Sequence, residues 1–266
     1  MFKNACVLFC IIINISFLSA ADAQYSAQPF ISISIYKAGT HLLNKCVELL
    51  THKEPVTFNR LRSTILEKWG NLFEPSLAEF DEFTNLLTNE YLFLHLYYNT
   101  DYKKLLMSKN FKILLIIRDP RDQIISYAYF IQKFPQFAPQ LHSLPINNII
   151  DACISDIQKV YSKFLPWAKF NTSYTVKFED LVGFKGGGTQ GKQLREIYNI
   201  GSHIGLDMTW KKSQEVSNQL FGGTATFREG KIGSWKTHFT VVQKQAFKEV
   251  AGDLLIELGY EKDKNW

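Results

Sequence analysis

Phe111-Lys112-Ile113-Leu114-Leu115-Ile116-Ile117 runs directly into Arg118-Asp119-Pro120-Arg121-Asp122-Gln123-Ile124-Ile125-Ser126-Tyr127. The first half is nearly all apolar, the composition of a strand covered on both faces at the centre of a parallel sheet. The second half opens with Pro120, whose fixed φ suits the first turn of a helix, where its missing N–H leaves no bond unmade. The junction therefore reads as a central strand feeding a helix, with Arg118 at the carboxyl edge of the strand. In open α/β sheets ligands collect at that edge. Ser126, two helical turns on, can swing toward it.

Outward from this junction, short β-rich runs alternate with helical periodicity. Strands are expected at Phe30–Ile35, Glu90–Leu96, Phe111–Ile117 and Ser173–Phe178. Helices are expected at Thr40–Thr51, Thr57–Trp69, Ser76–Thr88, Pro120–Lys133, Ile146–Phe170, Gly191–His203, Thr209–Leu220 and Thr240–Gly259. The alternation predicts an α/β fold, a central parallel sheet flanked by helices. The least regular stretches, 136–145, 183–190 and 221–235, are loops of the kind that frame a site.

With 46% hydrophobic, 14% aromatic and 21% charged residues in 266, the chain is neither disordered, collagen-like nor a small disulfide-stapled scaffold. Thirty Lys and Arg against 25 Asp and Glu give a formal charge of +5, too mild and dispersed for nucleic acid and sufficient for a phosphorylated small molecule. Cys6 and Cys10 fall in the N-terminal apolar stretch, leaving Cys46 and Cys153 to the folded domain. No Cys-x-x-Cys or His-Glu-x-x-His pair occurs, so no metal site is expected.

Residues 1–23 read as a secretory signal. Lys3 gives the positive start, Val7–Leu18 is largely apolar, and Ala21-Asp22-Ala23 suits cleavage before Gln24. The apolar run is shorter than the roughly 20 residues that cross a bilayer, so membrane attachment is expected only if this segment stays uncleaved. Residues 24–266 are expected to form one domain in the secretory pathway or outside the cytoplasm. The alternative is a cytoplasmic protein with a buried N-terminal helix. Asn171-Thr172-Ser173 is a glycosylation sequon that counts only in a eukaryotic secretory route.

The first expected strand ends in Ile35-Tyr36-Lys37-Ala38-Gly39-Thr40-His41-Leu42 and turns into a helix. Such a turn presents backbone N–H groups, a hydroxyl and a cation at a helix N-terminus, a combination suited to phosphate. The bland reading is an ordinary turn capped by Thr40. Lys37 precedes Gly39, unlike the G-x-x-x-x-G-K-[ST] order of a nucleotide-kinase loop. Gly186-Gly187-Gly188-Thr189-Gln190-Gly191-Lys192-Gln193 nearly spells that loop, but Gln193 stands where a magnesium-binding Ser or Thr belongs, so it reads as a surface loop. Phe227–Thr240 is dense in cations, glycine and aromatics, and Arg228 can grip a phosphate with two N–H groups.

Together these segments resemble the sulfotransferases that move a sulfuryl group from 3′-phosphoadenosine 5′-phosphosulfate (PAPS) to a hydroxyl or amine. The family's Tyr-Pro-Lys-Ser-Gly-Thr-Thr-Trp loop matches Ile35–Leu42, its Arg-x-Pro-[Arg/Lys]-Asp…Ser-Tyr segment matches Arg118–Tyr127, and its Arg-Lys-Gly-x-x-Gly-Asp-Trp-Lys…Phe-Thr segment matches Arg228–Thr240. A fourth match is Phe178-Glu179-Asp180-Leu181. The resemblance implies a P-loop-like sulfotransferase architecture and metal-independent chemistry. It assigns catalysis to His95, Lys37 and Ser126, with His95, in Phe93-Leu94-His95-Leu96, as the general base. It places Lys37, Ala38, Gly39, Thr40, His41 and Leu42 around the 5′-phosphosulfate, and Arg118, Ser126 and Arg228 around the 3′-phosphate. Phe178, Glu229 and Gly230 complete the donor set. His238 is expected to be structural or peripheral.

The sequence departs from the family at several positions. Ala38 replaces a Ser, Leu42 the Trp against which adenine stacks, Phe93 a donor-contacting Lys, Phe178 a Tyr, Glu229 a Lys and Ser234 an Asp. Trp210 or Phe221 are the candidates to receive adenine instead. The acceptor is expected to be a small molecule, lipid or sugar, held by residues from Lys53–Thr88 and Gln136–Ile150. Two other readings stand beside this one: a relative that binds the bisphosphonucleotide without turnover, and, more remotely, a P-loop kinase built on Gly186–Gln193.

Overall fold

The computed structural model describes residues 27–52, 54–55, 74–85, 90–223 and 228–266. The expected signal segment and the expected helix Thr57–Trp69 lie outside them. Among the described residues the strands β1 (Phe30–Ser34), β2 (Glu54–Pro55), β3 (Glu90–Leu94), β4 (Lys112–Ile117) and β5 (Ser173–Lys177) form one parallel sheet in the order β2-β3-β1-β4-β5. β1 sits between β3 and β4, with Ser32 opposite both Phe93 and Leu114. The protein is an α/β fold.

Alternation along the strands sorts their side chains onto two faces. Ile31, Ile33, Ile113, Leu115 and Ile117 pack toward α3 (Thr100–Ser108), α4 (Pro120–Lys133), α5 (Ile146–Ser162) and the last long helix. Phe30, Leu114, Ile116 and Val176 pack toward α1 (Thr40–Thr51), α7 (Gln190–His203) and α8 (Trp210–Leu220). The other helices are α2 (Leu77–Asn85), α6 (Phe178–Leu181), α9 (Trp235–His238) and α10 (Val241–Glu257). α10 starts where the sequence predicts: Thr240 and Gln243 form a reciprocal capping box with bonds of 3.0 and 3.1 Å.

Three expectations change. The helix expected over Ile146–Phe170 ends at Ser162, and Leu165–Lys169 forms a separate 3-10 turn. Pro166 lacks the N–H an α-helix needs there, and the break lets the Trp167 indole donate to the Leu96 carbonyl at 3.0 Å. α3 is a helix the apolar periodicity did not reveal, because Tyr102 and Leu106 are its only buried residues. Its start is chemical, with the Asn99 side chain accepting from the Asp101 N–H at 2.7 Å. β5 stops at Lys177, so Phe178 opens α6 instead of ending a strand.

Candidate functional site

The carboxyl ends of β1, β3 and β4 carry Ser34, His95 and Arg118. Between β1 and α1 the chain turns through Lys37, with φ 64°, and Gly39, with φ 114°. A non-glycine residue in the left-handed region is a strained conformation that marks functional loops. Gly39 is required twice over. Its backbone is left-handed, and a Cβ there would lie 2.8 Å from Phe178 Cδ2 and 3.0 Å from Ile116 Cδ1. No side chain among the described residues caps α1, so the N–H groups of Thr40 and His41 remain available to an anion. Thr40 does not act as the cap. Its hydroxyl lies 2.8 Å from Ser34 Oγ. The loop is held to α4 by Gln123, whose amide donates to the Tyr36 carbonyl at 2.9 Å.

Lys37 Nζ lies 4.3 Å from the centre of the Phe130 ring. Burial first, then the positive charges of Arg118 and Arg228, bring its pKa down to about 8. The three cations are thus near enough to act on one another. Arg118 is buried and stacks 4.2 Å above the Phe178 ring. Its Nη2 donates to the Lys231 carbonyl at 2.7 Å, while its Nε is buried without a hydrogen-bond partner among the described residues. A buried guanidinium N–H left unsatisfied is costly, and an anionic oxygen is its natural complement. Arg228 lies 4.7 Å from the Tyr129 ring and pairs with Glu229 at 2.8 Å. Tyr129 and Phe130 lie on α4 one turn beyond half-buried Ser126.

The loop carrying Arg228, Glu229 and Gly230 is anchored at its far end by Asp122, which accepts from the N–H groups of Gly233 at 2.6 Å and Trp235 at 2.9 Å. No ion pair joins Asp122 to Arg118 among the described residues. The glycine-rich stretch supports the same loop. Gly186 accepts from the Ile232 N–H at 2.9 Å, and a Cβ on Gly186 would stand 2.5 Å from the Gly230 carbonyl oxygen. Lys192 pairs with Asp180, and the buried Gln193 bonds to Leu181 and Ser217. Gly186–Gln193 is therefore scaffolding.

His95 follows β3 directly. Its Nδ1 lies 2.8 Å from the Ser34 carbonyl oxygen and 3.2 Å from Ser34 Oγ. A carbonyl can only accept, so Nδ1 holds the proton and the lone pair resides on Nε2. Burial, with smaller effects of His41 and Lys37, holds the imidazole below its usual pKa, against the Ser34 hydrogen bond. His41 is lowered likewise by burial and Lys37. In both, burial favours the neutral ring.

A cavity of about 360 Å³ opens beside this group, lined by Tyr36, Tyr127, Gln123, Phe137, Leu141 and Cys153 among others. The edge of Tyr36 faces His95, ring centres 6.4 Å apart. Phe137 and Leu141 come from the expected stretch, whereas the α5 wall of the cavity was not anticipated. A second, narrow apolar cleft of about 40 Å³ lies between Leu42, Phe178, Val182, Leu220, Phe221 and Gly230. Phe221 thus shares a cleft with Leu42 and Gly230, while Trp210 stacks on Tyr198 with ring centres 5.3 Å apart. His238 accepts no such role: its Nδ1 bonds to the Ser234 carbonyl at 2.7 Å. Cys46 and Cys153 are unpaired thiols. Among the described residues no group of three His, Cys, Asp or Glu is placed to hold a metal ion.

A strained strand-to-helix loop, an edge arginine and a third cation on a returning loop are an arrangement that suits an anionic ligand on this α/β fold. Residues 28–182 match the family model of the sulfotransferase domain, and the chain belongs to that family. It is 27% identical to sulfotransferase 6B1 of Danio rerio over 54% of this chain and 51% of the relative. It is 26% identical to sulfotransferase 2A6 of Mus musculus over 64% of each. The match spans about half to two thirds of the length of such relatives. Among solved structures, mouse sulfotransferase SULT7A1 complexed with PAP superposes with a TM-score of 0.63 at 14% identity, covering 88% of this chain and 86% of that one. Retinol dehydratase in complex with androsterone and PAP gives 0.55 at 12% identity, covering 86% and 80%. These likenesses support the α/β sulfotransferase fold.

Proposed function

We propose that the protein transfers a sulfuryl group from PAPS to a hydroxyl or amine of a small-molecule acceptor. The observation that carries this reading is the buried Nε of Arg118, without a hydrogen-bond partner among the described residues, with Lys37 and Arg228 seated on the adjacent rings of Phe130 and Tyr129. The donor's two phosphate positions suit it. The uncapped start of α1, Gly39, Thr40 and His41 would hold the 5′-phosphosulfate. Arg118, Ser126 and Arg228 would hold the 3′-phosphate, and the cleft at Leu42, Phe178 and Phe221 offers apolar faces to adenine.

The chemistry is an in-line displacement. His95 Nε2 takes the acceptor proton as the acceptor oxygen or nitrogen bonds to sulfur. The bond from sulfur to the bridging oxygen breaks, and 3′-phosphoadenosine 5′-phosphate (PAP) departs. Lys37 stabilises the charge that develops on the bridging oxygen. The cavity walled by Tyr36 and Tyr127 receives the acceptor, and about 360 Å³ falls within the range of small-molecule sites.

Calorimetric titration of the purified chain with PAP, with AMP and ATP as competitors and Arg118→Ala as control, tests the donor site. Binding that depends on the 3′-phosphate and vanishes in the variant supports it; equal preference for AMP, PAP and ATP overturns it. Sulfation of a panel of phenols, sugars and amines then separates an enzyme from a nucleotide-binding relative without turnover. Phe93 and Leu42, both replacing donor-contacting residue types, are what favour that second reading.

A further inference from the structure

The chain after α10 folds back onto the base of the loop that carries Arg228 and Gly230. Gly259, with φ 71°, turns it, and Lys264 pairs with Asp253 at 2.8 Å to hold the returning segment against α10. Arg121 stands at the meeting point. Its guanidinium is gripped by Asp119 at 2.7 Å and by Glu261 at 2.7 Å, with Arg121 almost fully buried. It packs against two indole rings, 3.9 Å from the centre of Trp235 and 4.4 Å from that of Trp266. The two indoles meet edge to face at 5.2 Å, and Trp266 also packs on Phe247.

Trp235 is where the Arg228 loop re-enters the fold, and its N–H is one of the two that Asp122 accepts. The loop thus has a backbone anchor, Asp122, and a side-chain anchor, the cluster of Trp235, Arg121 and Trp266 with Glu261 paired to Arg121. Arg121 has no capacity to reach a ligand: it is almost fully buried, its Nε and Nη2 donate to Asp119, and its Nη1 forms an ion pair with Glu261. We propose that Glu261 and Trp266 are positioning residues for donor binding, acting through Arg121 and Trp235 to hold Arg228 and Gly230 over the donor's 3′-phosphate. This rests on the donor reading given above.

The test compares PAP with AMP, which lacks the 3′-phosphate, on the full chain and on Trp266→Ala, Trp266→Phe and Glu261→Gln. Slackening the loop weakens PAP about fivefold or more while AMP, held by the loop after β1, changes little, so the PAP-to-AMP affinity ratio falls. General destabilisation lowers both affinities together and leaves the ratio unchanged. Trp266→Phe, which keeps an aromatic face on Arg121, restores most of the ratio. An unchanged ratio in Trp266→Ala and Glu261→Gln, with PAP still preferred by the parent chain, overturns the positioning role alone. A parent chain that does not distinguish PAP from AMP overturns the donor reading and this role with it.

Discussion

His95 Nδ1 lies 2.8 Å from the carbonyl oxygen of Ser34, a bond that ties the ends of two neighbouring parallel strands together. The bond fixes the tautomer and the direction of the ring at once, because the proton on Nδ1 leaves Nε2 basic. His95→Ala should therefore lower kcat by about 10²- to 10⁴-fold, the usual share of a general base. PAP affinity should stay within about twofold, since the phosphate-binding groups are elsewhere. Turnover close to that of the parent chain with normal donor binding would remove His95 from the chemistry.

The same pocket predicts a bell-shaped pH dependence of kcat/KM for the donor. His95 titrates below its ordinary 6.5 because burial disfavours the imidazolium, so activity falls as pH drops through that lowered value. Lys37, lowered to about 8 chiefly by burial and then by Arg118 and Arg228, loses its charge as pH rises, giving the alkaline limb. Bound phosphates favour the charged lysine, so the alkaline limb of kcat should lie at higher pH than that of kcat/KM. Stopped assays from pH 5 to 10 at low and saturating donor would show it. An alkaline limb at the same pH in both parameters would assign that limb to another group.

Gly39 is the tightest point of the donor loop. Gly39→Ala would force a side chain into a backbone at φ 114° and against Phe178. The expected cost is about 1–3 kcal/mol of stability, with a greater than proportionate loss of PAP affinity, because Phe178 also supports Arg118. Denaturant unfolding and PAP titration on the same sample would check both.

Much of this was legible in the sequence because it lies in short, continuous runs. Phe111–Tyr127 alone specified a buried central strand, a proline-started helix and an edge arginine, and α1 and α4 begin and end where their periodicity does. What escaped depends on contacts between distant segments. Nothing in the sequence near Asp122 says that its partners are the N–H groups of Gly233 and Trp235, and nothing near Arg121 announces Glu261 or Trp266. The α5 side of the cavity was hidden for a different reason. Cys153, Ile157 and Val160 look like core positions of an amphipathic helix, and only the third dimension shows that some of that face borders a void. For α3, the Asn99-Thr100-Asp101 cap was the available signal, outweighed by its sparse apolar pattern.

Asp122→Ala would leave the Gly233 and Trp235 N–H groups without their carboxylate. Losing such partners costs about 1–3 kcal/mol for each buried group, and the local effect should exceed the global one. Trypsin should cut at Arg228 and Lys231 faster in the variant, and PAP should protect less. Asp122→Asn keeps one carbonyl oxygen and should fall between the two. Equal cleavage rates in all three proteins would show that the loop is held by other contacts.

Glu179 offers a test that needs no ligand. Its carboxylate accepts from the Asp119 N–H at 2.9 Å and from the Tyr260 hydroxyl at 2.9 Å, beneath the Arg118 turn. Burial is the largest influence on it and outweighs these bonds, raising its pKa to about 7. A carboxyl raised in the folded state holds a proton that the unfolded chain releases, so its favourable contribution is complete below about 4.5 and is lost as pH rises through 7. Glu179→Gln removes that titration while keeping an acceptor for the Asp119 N–H. Between pH 5 and 8 the parent chain should therefore lose stability relative to Glu179→Gln, measured as the difference in unfolding free energy in urea. A difference that stays constant across that range would mean Glu179 is ionised throughout and that its hydrogen bonds from backbone N–H groups, with Arg118, outweigh burial.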